Sequence, residues 1–271
     1  MVGLFDIGAT NTRLALAENN KIMEIIRTQT DASSSGFAKF LGALHDLTDG
    51  KRLTALAGGF PGQVAGERGE IVSARNLPEW LGVPLRSRLE EQFDCDVVVA
   101  NDVEITGLGE CHAGAGSPSG TMVYYTISTG VNAVRIVDGV VDPTVRHFAL
   151  GRQVTQQSGG HAVSLEQLAG GGELERRMKQ APRDIKDPKV WREIEAYVAT
   201  AIYNTCLYWD PDRIVFGGSM MRDVTIEGIQ KRLFEFPARA YAEWPQLVRA
   251  SLKDDAGIYG ALVLLKQARL A

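Results

Sequence analysis

The 271-residue chain has little cysteine. Its three residues, Cys95, Cys111 and Cys206, are far apart and form no CxxC pair. A disulfide framework and a cysteine-built zinc site are therefore not expected, and reduced thiols suit a cytoplasmic protein. No run approaches the ~18 apolar residues of a membrane span. The start, Met1-Val2-Gly3-Leu4-Phe5-Asp6, meets an acid at once, unlike a signal peptide with its basic region and long apolar stretch. Basic charge is not in excess. The net charge is −4, so no positive field points to nucleic acid. There is no charge block, low-complexity tract or short repeat. Neither nucleic acid nor membrane is an expected partner.

The remaining composition is that of a soluble globular chain, with 45% hydrophobic and 23% charged residues. The length exceeds a typical single domain and suits two lobes around a cleft. The 29 glycines announce tight turns and close backbone approaches.

Apolar patterning gives the element order. Val2–Ile7, Thr12–Ala17 and Lys21–Thr28 read as a meander of strands. Helical spacing of Phe37, Phe40, Leu41 and Leu44 marks Gly36–Leu47. Leu53–Gly58 reads as a strand entering a loop at Gly58-Gly59-Phe60-Pro61-Gly62. Helix Pro84–Phe93, strand Val97–Ala100 and a helix from Glu104 to His112 follow. Met122–Ile127 and Ala133–Val137 form a hairpin across Ser128-Thr129-Gly130. Leu165–Lys179 and Val190–Trp209 are expected helices, Arg213–Phe216 a strand, and Ala256–Ala268 a last helix. Two related α/β units follow from this order.

Two acids stand out chemically. Asp6 ends an apolar strand just before Gly8-Ala9-Thr10-Asn11-Thr12. Gly8 lets backbone approach phosphate, Thr10, Asn11 and Thr12 offer hydroxyl and amide groups, and turn N–H groups can nest an anion. Ionised Asp6 only accepts, so it suits Mg2+ or metal-bound water. A plain hairpin turn would use the same Gly and Asn, but leaves Asp6 unexplained. Asp102 follows the strand Val97-Val98-Val99-Ala100, at the end where ligands of open α/β folds gather. There it could accept a hydroxyl proton. Asn101-Asp102 could equally cap the next helix, and both readings can hold together.

Taken in order, the motifs resemble the ROK family of sugar kinases and sugar-responsive repressors, in the actin-like superfamily. They are Asp6-Ile7-Gly8-Ala9-Thr10, Gly59-Phe60-Pro61-Gly62, Asn76-Leu77-Pro78-Glu79-Trp80, Asn101-Asp102 with Gly109-Glu110, Leu165-Glu166, Pro211–Gly218 and Asp254-Asp255-Ala256-Gly257. The resemblance spans nearly the whole chain. It implies a two-lobed α/β actin-like ATPase (ribonuclease H-like) fold, each lobe a mixed sheet flanked by helices. Residues 1–103 and 256–271 would form one lobe and 104–255 the other. It implies ATP and Mg2+ as cofactors, a sugar substrate with Asp102 as catalytic base, and, by analogy, a homodimer. It assigns Thr129 and Gly130 to a second phosphate loop and Gly217-Gly218 to adenosine. Gly58, Gly59, Asn76, Asn101 and Glu166 fall to the sugar. An ordinary hairpin, a glycine turn and a solvated helix-start glutamate are the plainer readings of the second loop, of Gly217-Gly218 and of Glu166.

The chain departs from the family in two places. After Thr129-Gly130, where relatives carry more glycines, come Val131, Asn132, Ala133, Val134 and Arg135. Side chains here would narrow the phosphate approach, or Arg135 would add a cation. The family's Glu-x-Gly-His and zinc-binding cysteine cluster are also missing. Ala149 and Arg152 occupy the Glu and His positions, and Gln156–His161 has no cysteine, so no zinc is expected. His161 and His147 alone cannot supply the ligands. Arg135 and Arg152 together would suit an acidic or phosphorylated sugar. The competing function is a sugar-binding sensor or inactive kinase. The strand beginning at residue 2 speaks against a repressor's DNA-binding domain, and Asn76 and Asn101-Asp102 speak against an acetate kinase relative.

Overall fold

The computed structural model describes residues 1–145, 147–158, 161–236 and 243–269. The chain divides into two compact units, Met1–Ala113 with Asp254–Ala271, and Gly114–Lys253. The first unit opens with β1 (Val2–Ile7), β2 (Asn11–Glu18) and β3 (Lys21–Gln29), then α1 (Gly36–Thr48), β4 (Ala55–Phe60), the small hairpin β5 (Gln63–Ala65) and β6 (Glu70–Ser73), α2 (Leu85–Phe93), β7 (Asp96–Asn101) and α3 (Asp102–Ala113). The second unit holds β8 (Thr121–Ile127), β9 (Val131–Val137), β10 (Val140–Val141), β11 (Val154–Ser158), β12 (His161–Ser164), α4 (Leu165–Ala169), α5 (Gly171–Met178), α6 (Pro188–Trp209), β13 (Arg213–Gly217), α7 (Ile226–Leu233) and β14 (Gln246–Arg249). Helix α8 (Ala256–Gln267) returns to the first unit.

The two main sheets share one plan. The first has the order β3-β2-β1-β4-β7 and the second β10-β9-β8-β13-β14. In each, three strands meander antiparallel and two more join in parallel. This is the mixed sheet that the motif order implies, built twice.

Strand β1 is buried along all six residues because both of its faces are covered. Phe5 and Ile7 pack with Phe40, Leu41 and Leu44 of α1. Val2 and Leu4 pack with Ile258, Ala261, Leu262 and Leu265 of α8. Helix α1 stops at Asp49, whose left-handed φ of 48° precedes Gly50. In the second unit, α6 begins on an Asp187 cap with Pro188 behind it, and lays Ile194, Val198 and Ile202 into a core with Tyr125 and Phe216.

Three expectations change. The loop expected at 58–62 begins only at Pro61, because Gly58, Gly59 and Phe60 extend β4 in register with β7. The helix expected over 165–179 breaks at Gly170, whose backbone is extended. The expected lobe boundary after residue 103 lies after Ala113 instead, because α3 packs on α8. Added Cβ atoms at Gly109 and Gly260 would lie 1.9 Å from the Ala256 carbonyl oxygen and 1.6 Å from that of Ile105. Only bare glycine backbone lets these helices cross so closely.

Candidate active site

Strands β1, β4 and β7 run parallel, so the Gly8 turn and Asp102 leave the same end of one sheet. Gly8 N–H donates to the Asn11 carbonyl at 2.9 Å, closing the turn. A Cβ on Gly8 would sit 2.9 Å from that same oxygen. Thr10 and Asn11 are exposed and able to meet a ligand. Thr12 is not: it is 4% exposed, and its hydroxyl lies 2.9 Å from that of Thr30. Strand alternation explains this, because Asn11 and Arg13 share one face of β2 and Thr12 takes the other.

Asp6 is buried, and Arg13 Nη1 donates to its Oδ2 at 3.2 Å. The other end of the guanidinium reaches Asp254 at 3.3 Å. Burial raises Asp6 to about 6 despite the arginine. Burial, aided by the negative charge of Asp6, raises Asp102 to about 7. Two acids at one sheet end, each short of solvation, are suited to holding a cation and taking a proton. Arg13 escaped the sequence reading, and Asp254 entered it only as part of a motif, without this partner. The only signal for Arg13 is its cross-strand register with Asp6, which needs the hairpin in hand.

Asp102 opens α3 behind a capping arrangement. Asn101 Oδ1 accepts from Val103 N–H at 3.0 Å, and Glu104 accepts from Asn101 N–H at 3.1 Å. The Asn101 amide also donates to the Phe60 and Gly62 carbonyls at 3.4 and 3.1 Å. The cap reading is thus present in the geometry, and Asn101 fastens the loop after β4 to the start of α3. Gly58 and Gly59 lie inside the sheet rather than along an open wall. A Cβ at Gly58 would strike the Phe5 ring at 2.2 Å, and one at Gly59 would meet Ile105 at 2.4 Å and the Asp102 Cα at 3.0 Å. Gly59 thereby sets how close Asp102 comes to the sheet. Asn76 is exposed, in the turn between β6 and the buried Trp80.

In the second unit, β8 and β13 run parallel, and their ends carry the second turn and the glycine pair. Thr129 is exposed at the tip of the turn. Glu166 accepts from Val131 N–H at 3.1 Å, and its Oε2 would lie 2.6 Å from a Cβ on Gly130. Its carboxylate therefore braces the turn. Gly171 and Gly172 N–H donate to the Ser128 and Thr129 carbonyls at 2.7 and 2.9 Å. This brace is absent from the sequence analysis, because Gly170-Gly171-Gly172 lies inside the helix expected over 165–179. Gly217 admits the Tyr124 hydroxyl, 2.2 Å from where its Cβ would be. Gly218 has a φ of 97°, and a Cβ there would sit 2.3 Å from the Ile127 carbonyl oxygen. Only glycine fits.

The side chains after the turn do not crowd it. Val131, Ala133 and Val134 are buried. Asn132 bonds to the Phe148 carbonyl at 3.0 Å and accepts from Leu150 N–H at 3.1 Å. Arg135 is paired with Asp142 at 2.6 Å, in register with Val123 well back from the turn. It therefore adds no cation to a phosphate, and the acidic-sugar idea loses one of its two supports. Arg152 is exposed and has no ion-pair partner among the described residues, as suits a solvated cation. His147 and His161 are exposed, while Gly159 and Gly160 of the stretch replacing the zinc motif lie outside the described residues. No helix among the described residues is long and apolar enough to cross a membrane.

Known proteins resemble this chain in sequence and in fold. The family model described as "ROK family" matches residues 2–268. A glucokinase from Halalkalibacterium halodurans is 26% identical, over 97% of this chain and 94% of its own length. The crystal structure of a ROK hexokinase from Thermus thermophilus aligns with a TM-score of 0.79 at 26% identity, covering 99% of each chain. A ROK glucokinase from Streptomyces griseus, in complex with glucose and AMPPNP, gives a TM-score of 0.80 at 21% identity, covering 98% of this chain and 99% of its own, a likeness of fold. With the sheet plan built twice and a family match over almost every residue, this α/β chain of actin-like fold belongs to the ROK family.

Proposed function

We propose that this chain is an ATP-dependent carbohydrate kinase that phosphorylates a hydroxyl of a hexose or hexose derivative. The observation that carries the reading is Asp102, raised to about 7 at the end of a parallel strand, beside the buried Asp6 and the Gly8 turn. A carboxylate of that basicity, poised near neutral pH, can orient a sugar hydroxyl and accept its proton. The kinase names of the relatives and the AMPPNP bound by the Streptomyces griseus protein support the same class.

Each unit by itself carries groups of the kind that bind a nucleotide or its cation. Asp6 is a buried carboxylate whose lost solvation a Mg2+ ion, direct or through water, would relieve. The Gly8 turn with Thr10 and Asn11, and the turn at Thr129 and Gly130, offer N–H and polar side chains for phosphate. The exposed Gly218, with no side chain, leaves backbone bare for adenosine. ATP supplies the phosphoryl group, and the sugar hydroxyl supplies the attacking oxygen. Asp102 takes the hydroxyl proton as that oxygen bonds to the terminal phosphorus of ATP and the bond from this phosphorus to the bridging oxygen breaks, with ADP as the leaving group. Asn101 and Glu166 serve chiefly to position Asp102 and the second turn. Asn101 keeps acceptor capacity that a sugar hydroxyl could use, and Glu166 and the exposed Asn76 are further candidate contacts.

The test is an ADP-release assay with ATP and Mg2+ across hexoses, N-acyl hexosamines and sugar acids. One sugar class should release ADP, and Asp102→Ala should lower its turnover by about 10²–10⁴-fold. Unchanged sugar-dependent ADP release in that variant would remove Asp102 as the base. Sugar binding with no ADP release from the wild type would instead identify a sensor.

A further inference from the structure

The turn at Gly8–Asn11 is held from behind by one residue outside it. Thr30, just past the end of β3, donates its N–H to the Thr10 carbonyl at 2.9 Å and its hydroxyl to the Gly8 carbonyl at 2.8 Å. A hydroxyl has one proton, so Thr30 gives its proton to Gly8 and accepts from the buried Thr12 hydroxyl at 2.9 Å. The segment after Thr30 is itself anchored. Trp80 Nε1 donates to the Asp31 carbonyl at 3.2 Å, and Lys39 pairs with the Asp31 side chain.

This tie decides where the amides of the turn point. No peptide bond among the described residues is cis. In a planar trans peptide the N–H points opposite to the C=O. With the Gly8 and Thr10 carbonyls drawn toward Thr30, the N–H groups of Ala9 and Asn11 face the other way. The Ala9 N–H meets no acceptor among the described residues. The second unit solves the same problem with different groups. There the Ser128 and Thr129 carbonyls are held by Gly171 and Gly172 N–H, which turns the Thr129 and Gly130 N–H groups outward. Those two also meet no acceptor among the described residues. Tied-back carbonyls and outward amides thus recur at both turns.

We infer that Thr30 is a positioning residue for the nucleotide phosphates, fixing the amides of the first turn before the anion arrives. This rests on the kinase reading above, which makes the turn a phosphate site. Donors already aimed at a charge need no reorganisation when it binds, so losing the tie should weaken phosphate binding and leave other contacts alone.

The test compares wild type, Thr30→Val, Thr30→Ala, Thr30→Ser and Thr28→Val. Binding of ATP, ADP and adenosine is measured without turnover, and KM is measured for ATP and for sugar. Thr28 is an exposed control two residues back on β3. Thr30→Val and Thr30→Ala should bind ATP and ADP about tenfold more weakly, as expected for loss of a hydrogen bond to a charged group, with adenosine affinity and the sugar KM within about twofold. Thr30→Ser keeps the hydroxyl and should restore most of the loss, and Thr28→Val should match wild type. If Thr30→Val fails to fold, the smaller Thr30→Ala carries the same test. Unaltered ATP binding in either variant overturns the inference. So does a uniform loss of ATP, adenosine and sugar affinity, which marks a merely structural residue. A wild type that binds neither ATP nor ADP overturns the kinase reading and this inference together.

Discussion

Asp102 is held in two opposed ways. Its position at the start of α3 favours the charged form, while burial and the neighbouring Asp6 favour the neutral one, and the balance lies at about 7. The consequence for stability has a definite sign. The folded chain retains a proton that the unfolded chain, with an ordinary value of 3.8, has released. Stability therefore falls as pH rises through the window from about 4 to about 7, and the loss is complete above it. Asp102→Asn keeps the shape and removes the ionisation. In metal-free buffer its Tm relative to wild type should increase between about pH 4 and pH 8, because only the wild type then gains a poorly solvated charge at position 102. A Tm difference that stays constant over that range would show that burial does not shift this carboxyl. Asp6, raised to about 6, contributes with the same sign in both proteins.

At the scale of elements, glycines decide which helices can cross. Gly109 and Gly260 lie where α3 meets α8, against carbonyl oxygens that cannot move without their helices. Gly109→Ala should cost about 1–3 kcal/mol or more through overpacking, read by denaturant unfolding. Gly42, exposed in the middle of α1 with nothing within 4 Å of an added Cβ, is the counter-case. Gly42→Ala should stabilise by roughly 0.5–1 kcal/mol. Equal effects of the two substitutions would contradict the close crossing. The same contrast explains what could be read from the sequence. Asp6 and Asp102 were legible because each interrupts an apolar run where a strand ends, and the turns were legible because glycine marks them. Thr12 misled because its side chain points away from the turn, a matter of strand alternation. Glu166 bonds across 35 positions to the Val131 N–H, and Arg13 depends on its register with Asp6 and on an acid 241 positions later, in Asp254. No local pattern contains such partners. The break at Gly170 was hidden because the apolar spacing runs straight through it, and only the second turn's need for the Gly171 and Gly172 amides ends the helix there.

For the whole molecule, the same sheet plan appears twice but is closed differently. The core of the second unit runs from Val123 to Leu233, with Trp244 and Leu247 packed against it, all within one continuous stretch of chain. The first unit is not continuous. Its sheet has one face covered by α1 and the other by α8, and α8 comes from the far end of the chain. A chain of residues 1–113 would leave Val2, Leu4, Ala15, Ala17, Ala55 and Ala57 without Ile258, Ala261, Leu262 and Leu265. An uncovered apolar sheet face costs about 25 cal/mol for each Å² left in water, and it invites association. The fragment 114–253 should therefore fold alone, with a cooperative thermal transition by circular dichroism and a monomer-sized peak in gel filtration. The fragment 1–113 should aggregate or melt without cooperativity, and adding 254–271 through a short linker after residue 113 should restore its transition. Cooperative melting of 1–113 by itself would mean that α8 is a covering layer the sheet does not need. The near-apolar length of β1, buried on both faces, argues that it is needed.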